Sequence, residues 1–65
     1  MKIQVNGKNW ETPSTMIHSL LEELKLLPNQ VAVEHNGRVL FRHELTQTTL
    51  QEGDRIEIIR VVAGG

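Results

Sequence analysis

Residues 53–65 read Gly-Asp-Arg-Ile-Glu-Ile-Ile-Arg-Val-Val-Ala-Gly-Gly and contain the longest β-prone run of the chain. Within Arg55–Val62, Ile56 and Ile58 lie on one side of an extended backbone and Ile59 lies on the other, because successive side chains of a strand point to opposite faces. The stretch therefore predicts a final strand with one buried face, followed by a short tail.

The tail itself is the first candidate for function. Glycine has no Cβ, so Gly64 and Gly65 could pass through a narrow channel into another protein's active site. The acyl carbon of Gly65 is also the least hindered that a chain can offer to a nucleophile. A Gly-Gly end is equally compatible with a loose terminus that has no role, since chain ends tolerate change. Residues before the tail must distinguish these two hypotheses.

Composition limits the possible classes of function. The chain has 65 residues and no cysteine, which predicts one domain over residues 1–65 and excludes a disulfide framework or a thiolate site. The net charge of -1 argues against a nucleic-acid-binding protein, which would carry a basic excess. The apolar runs are too short for a membrane span or a signal peptide. We therefore expect a cytoplasmic protein.

Two Asn-Gly pairs, at 6–7 and 36–37, predict β-hairpins, because both central residues of a type I′ turn have positive φ. They join strand-like runs at 1–5, 8–12, 31–34 and 39–41. Between the hairpins, Ser14 or Thr15 can cap a helix. An apolar stripe at helical spacing follows, formed by Ile17, Leu20, Leu21 and Leu24, with Leu27 as its expected end.

Residues 42–50 are polar apart from Leu45 and Leu50, so we predict a loop or a single helical turn pinned by these two side chains. The predicted order of elements favours an α+β fold of the β-grasp (ubiquitin-like) type, a mixed four- to five-stranded sheet packed on one helix. In this arrangement one face of the sheet carries the helix, and the other face has no cover.

No internal group of residues has the pattern of a catalytic or metal site. The spacing of His18, His35 and His43 matches no compact ligand motif, so we predict scattered surface histidines and no bound metal or other cofactor. Glu22 and Glu23 are adjacent on the helix, and we interpret both as solvated surface. The chain is therefore not expected to be an enzyme.

Ile59 is the best candidate for a contact with a partner. If Ile58 faces the helix, Ile59 projects from the uncovered sheet face, flanked by Ala32 and Glu34 on a neighbouring strand. An apolar patch beside the tail is suited to docking, although a single exposed isoleucine is also ordinary. We predict that Ile59, with Val61 and Val62, forms a docking strand that adds main-chain pairing to a partner.

These features together resemble a known family. The run at 1–5, the helix at 15–24, the strand and turn at 31–37, and above all 53–59 followed by Gly64-Gly65 are similar to the ThiS family, the sulfur carrier proteins of thiamine biosynthesis. The resemblance covers essentially the whole chain. Two positions depart from the family pattern: Phe41, where a proline often precedes the arginine, and Leu45, where an aromatic residue is common.

The resemblance implies a function for the tail. A ThiF-like adenylating enzyme would use ATP, which this chain would not bind, to convert the Gly65 carboxylate into an acyl adenylate. A sulfur donor such as a cysteine desulfurase would then leave a thiocarboxylate, which a ThiG-like thiazole synthase would accept. Gly64 and Ala63 would form the flexible approach to the reacting residue.

Three alternatives remain open. The small subunit of molybdopterin synthase shares this fold and terminal chemistry but tends to be longer. A ubiquitin-like modifier would transfer its activated glycine to a lysine amine. In a plain interaction module, the Gly-Gly end would have no function.

Overall fold

The computed structural model describes residues 1–61. Their elements are β1 (Lys2–Val5), β2 (Lys8–Glu11), α1 (Ile17–Glu23), a 3-10 turn (Pro28–Gln30), β3 (Val31–His35), β4 (Arg38–Leu40), α2 (Arg42–Leu45) and β5 (Arg55–Arg60). Each predicted strand is present, and both hairpins are confirmed. The strand expected to include Phe41 ends one residue earlier, at Leu40, because Phe41 begins the turn into α2.

The strands form one mixed sheet with the order β2-β1-β5-β3-β4. Strand β5 is central, parallel to β1 and antiparallel to β3. A central final strand between two hairpins, with α1 on one face, is the β-grasp arrangement. The predicted fold class is therefore confirmed, with five strands and with the expected turn after β4 present as the short helix α2.

The core lies between α1 and one face of the sheet. Leu20 and Leu21 of α1 are fully buried, as is Ile56 of β5. Leu45 and Leu50 close the side of the core, which confirms that they pin the segment between β4 and β5. The other buried apolar residues are Ile3, Ile17, Val33, Leu40 and Ile58. One continuous apolar core thus holds α1 against the central strand.

Two predictions about α1 are wrong. The residue at its N-cap is Met16, and no side chain caps it. A backbone hydrogen bond takes the place of a side-chain cap, since the Ile17 N–H donates to the Thr48 carbonyl at 3.0 Å. At the other end, Leu27 is exposed, because α1 ends at Glu23 and Lys25 takes a left-handed φ of 60° that reverses the chain.

Candidate functional site

The two neighbouring isoleucines of β5 lie on opposite faces of the sheet. Ile58 is 8% exposed and packs in the core, whereas Ile59 is 57% exposed. Ala32 of β3 lies directly opposite Ile59 in the antiparallel register. The predicted exposure of Ile59 beside Ala32 is therefore confirmed, and the helix leaves this face of the sheet uncovered.

Further exposed apolar side chains extend this region. Val39 of β4 pairs with Glu34 of β3 and is exposed, and Phe41, directly after β4, is 67% exposed. We call Ala32, Val39 and Ile59 with their acidic neighbours, Glu34 and Glu57, the open face. Sequence reasoning assigned no role to Val39 or Phe41, although their positions on either side of the buried Leu40 could have indicated exposure.

The acidic part of the open face consists of two glutamates in direct register. Glu34 of β3 lies opposite Glu57 of β5. Neither carboxylate belongs to an ion pair among the residues that the structure describes. Like charges directly opposite each other in a sheet are slightly destabilising. This pair therefore does not help to hold the free domain together.

Strand pairing extends to the last described residue. The Val61 N–H donates to the Gln30 carbonyl at 2.8 Å, and the Val61 side chain is exposed. The predicted site residues Val62, Ala63, Gly64 and Gly65 lie outside the described residues. Their roles stay predictions, and the structure places only the strand that leads to them.

Two asparagine side chains hold the central strand. Both Asn6 and Asn36 have a left-handed backbone, with φ of 52° and 53°. The Ile58 N–H donates to Asn6 Oδ1 at 2.7 Å, and the Arg55 N–H donates to Asn36 Oδ1 at 2.8 Å. Sequence reasoning recognised both residues as turn formers and missed their contacts with β5.

A hydrogen-bond network holds the start of β5. Asp54 is nearly buried and contacts His35 Nε2 at 2.8 Å, and it accepts from Asn36 Nδ2 at 3.1 Å and from the Gln51 N–H at 2.9 Å. Burial by itself opposes ionisation, but these three contacts outweigh it, so the pKa of Asp54 is lowered. The prediction of scattered surface histidines is therefore wrong for His35, because this side chain is largely buried against Asp54.

A second network joins β2 to the end of α1. Glu23 accepts hydrogen bonds from the Thr12 hydroxyl, from Trp10 Nε1 at 3.0 Å and from the Ser14 hydroxyl at 3.0 Å. The Thr12 contact is the largest cause of a lowered pKa of the Glu23 carboxyl. Glu23 is therefore not a freely solvated surface residue as predicted, whereas Glu22 is exposed. These contacts also explain why Ser14 does not cap α1.

Neither network is arranged to hold a metal ion. Within residues 1–61 no group of histidine and carboxylate side chains is placed to hold a metal ion. No helix in this part of the chain is long and apolar enough to cross a membrane. The features that remain for a function are the open face and the strand that leads from it towards the tail.

Comparison with known proteins identifies the family. A sequence model of the ThiS family matches residues 3–65. The thiamine biosynthesis protein ThiS of Geobacter metallireducens, solved by crystallography, is 36% identical over the whole of both chains, with a TM-score of 0.85.

Two curated relatives are larger proteins. A thiazole synthase of Magnetococcus marinus is 38% identical over 66 residues, and one of Paramagnetospirillum magneticum is 32% identical over 66 residues. The comparison covers 100% of this chain, which spans only 20% of the length of each relative. Since the family match extends over nearly the whole chain and the fold agrees with that of a solved member, this chain belongs to the ThiS family.

Proposed function

We propose that this protein carries sulfur on the carboxyl group of Gly65 for the synthesis of the thiazole of thiamine. The family match that extends to residue 65 is the observation that carries this proposal. The geometry supports it, because β5 leads from the open face towards the tail. The protein would act in the cytoplasm, as a co-substrate of other enzymes.

The chemistry begins with activation of the carboxylate. A carboxylate oxygen is a very poor leaving group, so sulfur cannot displace it directly. A ThiF-like adenylating enzyme would transfer AMP from ATP to the Gly65 carboxylate and release pyrophosphate. A sulfur nucleophile from a donor such as a cysteine desulfurase would then attack the acyl carbon, and the bond to AMP would break. Because such a donor carries the sulfur as a persulfide, this attack gives an acyl disulfide, and a thiol would then cleave it to leave a thiocarboxylate at Gly65 and a disulfide.

The acceptor of the sulfur would be a ThiG-like thiazole synthase. This choice is supported by the two relatives in which a region similar to this chain is part of a longer protein named thiazole synthase. Two domains that are fused in one polypeptide in some proteins are often separate, interacting proteins in others. After transfer, Gly65 would return to the carboxylate and be loaded again.

The open face would make the contact with these enzymes. Ile59 and Val61 are exposed and lie directly before the tail, so a partner that covers them also receives the chain end. Val62 would continue this docking strand, and Ala63 and Gly64 would form a narrow approach to the active site. Burial of Ile59 and Val61 would supply apolar contact area, and main-chain pairing along the strand would fix the register.

The loading reaction tests this proposal. The intact mass of the protein is measured after incubation with ATP, a ThiF-like adenylating enzyme and a sulfur source. We expect a gain that equals the exchange of one oxygen for one sulfur. A variant without Gly65 is the control, and it should stay folded and show no gain, because chain ends contribute little to stability. An unchanged mass of the wild-type protein, with no adenylate trapped, would contradict the proposal.

A further inference from the structure

Asn6 connects the first hairpin to the last strand through its side chain. Its Oδ1 accepts a hydrogen bond from the Ile58 N–H at 2.7 Å, and its Nδ2 donates to the Ile58 carbonyl at 3.2 Å. Its own backbone N–H donates to the Ile56 carbonyl at 2.9 Å. The carboxamide of Asn6 thus pairs with β5 as the next peptide group of β1 would.

This contact is needed because β1 is too short to pair with the end of β5. The parallel register between the two strands covers only Gln4 opposite Arg55 and Val5 opposite Ile56. At Asn6 the chain turns away, with positive φ at both Asn6 and Gly7. The side chain of Asn6 therefore extends the pairing on this side of β5 as far as Ile58.

The position of the contact links it to the open face. Ile58 directly precedes Ile59, and from Ile59 to Val61 the pairing found among the described residues is with the β3 side alone. Among the described residues, Asn6 is the last group on the β1 side of β5 that hydrogen-bonds to the backbone of this strand. It therefore constrains how far Ile59 projects from the sheet and the path of the backbone from Ile58 to Val61.

We propose that Asn6 is a positioning residue for the carrier reaction: its carboxamide holds the backbone of Ile58 so that Ile59 and Val61 meet partner enzymes in a fixed geometry. This inference rests on the proposed function. It assigns to Asn6 a role besides turn formation. It also predicts that loss of the carboxamide weakens partner recognition more than it weakens the fold.

The chain offers a matched control in Asn36. This residue also precedes a glycine, has the same left-handed backbone, and accepts a hydrogen bond from β5 through its side chain. Its carboxamide accepts from the Arg55 N–H and donates to Asp54 Oδ1, at the start of β5, the end that lies away from the tail. Asn6→Gly and Asn36→Gly each remove one carboxamide and preserve a turn that glycine adopts readily. The two variants also gain comparable backbone freedom in the unfolded state.

The experiment compares the two variants as substrates of the adenylating enzyme, at a temperature at which both are folded. Hydrogen exchange followed by NMR verifies the structural change: the amide of Ile58 should lose protection in Asn6→Gly, and that of Arg55 in Asn36→Gly. We expect the KM of Asn6→Gly to rise about tenfold, the factor that corresponds to about 1.4 kcal/mol, with little change in kcat. We expect Asn36→Gly to keep the wild-type KM.

Two results would overturn the positioning role while the proposed function stands. The first is a wild-type KM for Asn6→Gly although Ile58 has lost its protection. The second is an equal rise in KM for both variants, which would indicate a general effect of stability. A wild-type protein that is never loaded with sulfur would instead refute the proposed function, and the positioning role with it. Normal loading of the wild type together with either of the first two results would refute the positioning role alone.

Discussion

The two faces of β5 show how one strand serves two different purposes. Ile58 is 8% exposed and Ile59 is 57% exposed, although they are the same residue type in consecutive positions. On the buried face, burial of apolar area against α1 stabilises the fold. On the open face, the free domain gains nothing from an exposed isoleucine or from two opposed glutamates. This contrast between the two faces is the basis of the proposed docking role of the open face.

Truncation on the buried face should have the largest effect. We expect Ile58→Ala to lower the free energy of unfolding by roughly 2–5 kcal/mol, because the lost methyl groups leave a cavity in a closely packed core. Denaturant unfolding measures this change. A loss below about 0.5 kcal/mol would show that the buried face does not carry the stability assigned to it.

The matched truncation on the open face should act on binding. We expect Ile59→Ala to change the free energy of unfolding by less than about 0.5 kcal/mol, as is usual for exposed positions. Its Kd for thiazole synthase should rise about tenfold, as expected for an apolar residue near the centre of an interface. Calorimetric titration against the enzyme measures this Kd. Unchanged binding would remove Ile59 from the interface.

Acid should weaken the contacts on the helix side of the sheet. The pKa values of Glu23 and Asp54 are lowered in the folded state, so the unfolded state takes up protons at a higher pH than the folded state does. The stability that these two carboxylates contribute is therefore fully present above the ordinary carboxyl pKa. It is lost as the pH falls through their lower pKa values in the folded state. The Tm should decrease over this acidic range.

The Glu23→Gln variant isolates one of these contributions. It should have a lower Tm than the wild type at neutral pH and a shallower decrease of Tm in acid. The neighbouring Glu22→Gln is the control, because the Glu22 carboxylate is exposed and, among residues 1–61, pairs only with His18, at 3.5 Å. Equal behaviour of the two variants would show that the hydrogen bonds to Glu23 do not contribute to stability.

The smallest effect concerns the acidic pair of the open face. Glu57→Gln removes the repulsion with Glu34, so the free domain should become more stable by about 0.5 kcal/mol or less. Glu34→Gln should give the same gain, and the double variant should give no further gain. Thermal unfolding at low salt measures these differences. Destabilisation by Glu57→Gln would show that this carboxylate supports the fold after all.

The sequence predicted those features that depend on local pattern. The alternation of Ile56, Ile58 and Ile59 indicated both faces of β5, and each Asn-Gly pair located a hairpin. The contacts of Glu23 could not be predicted in this way, because its donors lie on β2 and the following loop, at least 9 residues away. The contact between Asn6 and Ile58 spans 52 residues and exists only once the sheet has formed.

The same limit explains the error at the start of α1. Ser14 has the right residue type for a cap, but tertiary contacts direct its hydroxyl to Glu23 and supply the helix start from Thr48. A cap requires the side-chain oxygen to accept from a backbone N–H of the first helical turn, but Ser14 is held at Glu23 and lies three residues before the first helical residue, Ile17.

Transfer of sulfur to the acceptor enzyme is the most direct test of the function. The protein is loaded to the Gly65 thiocarboxylate and incubated with thiazole synthase and its small-molecule substrates, and the intact mass is followed over time. We predict that the mass returns to that of the carboxylate as the thiazole product forms, and that it stays unchanged without the enzyme. A thiocarboxylate that persists in the complete mixture would contradict a role in thiazole synthesis.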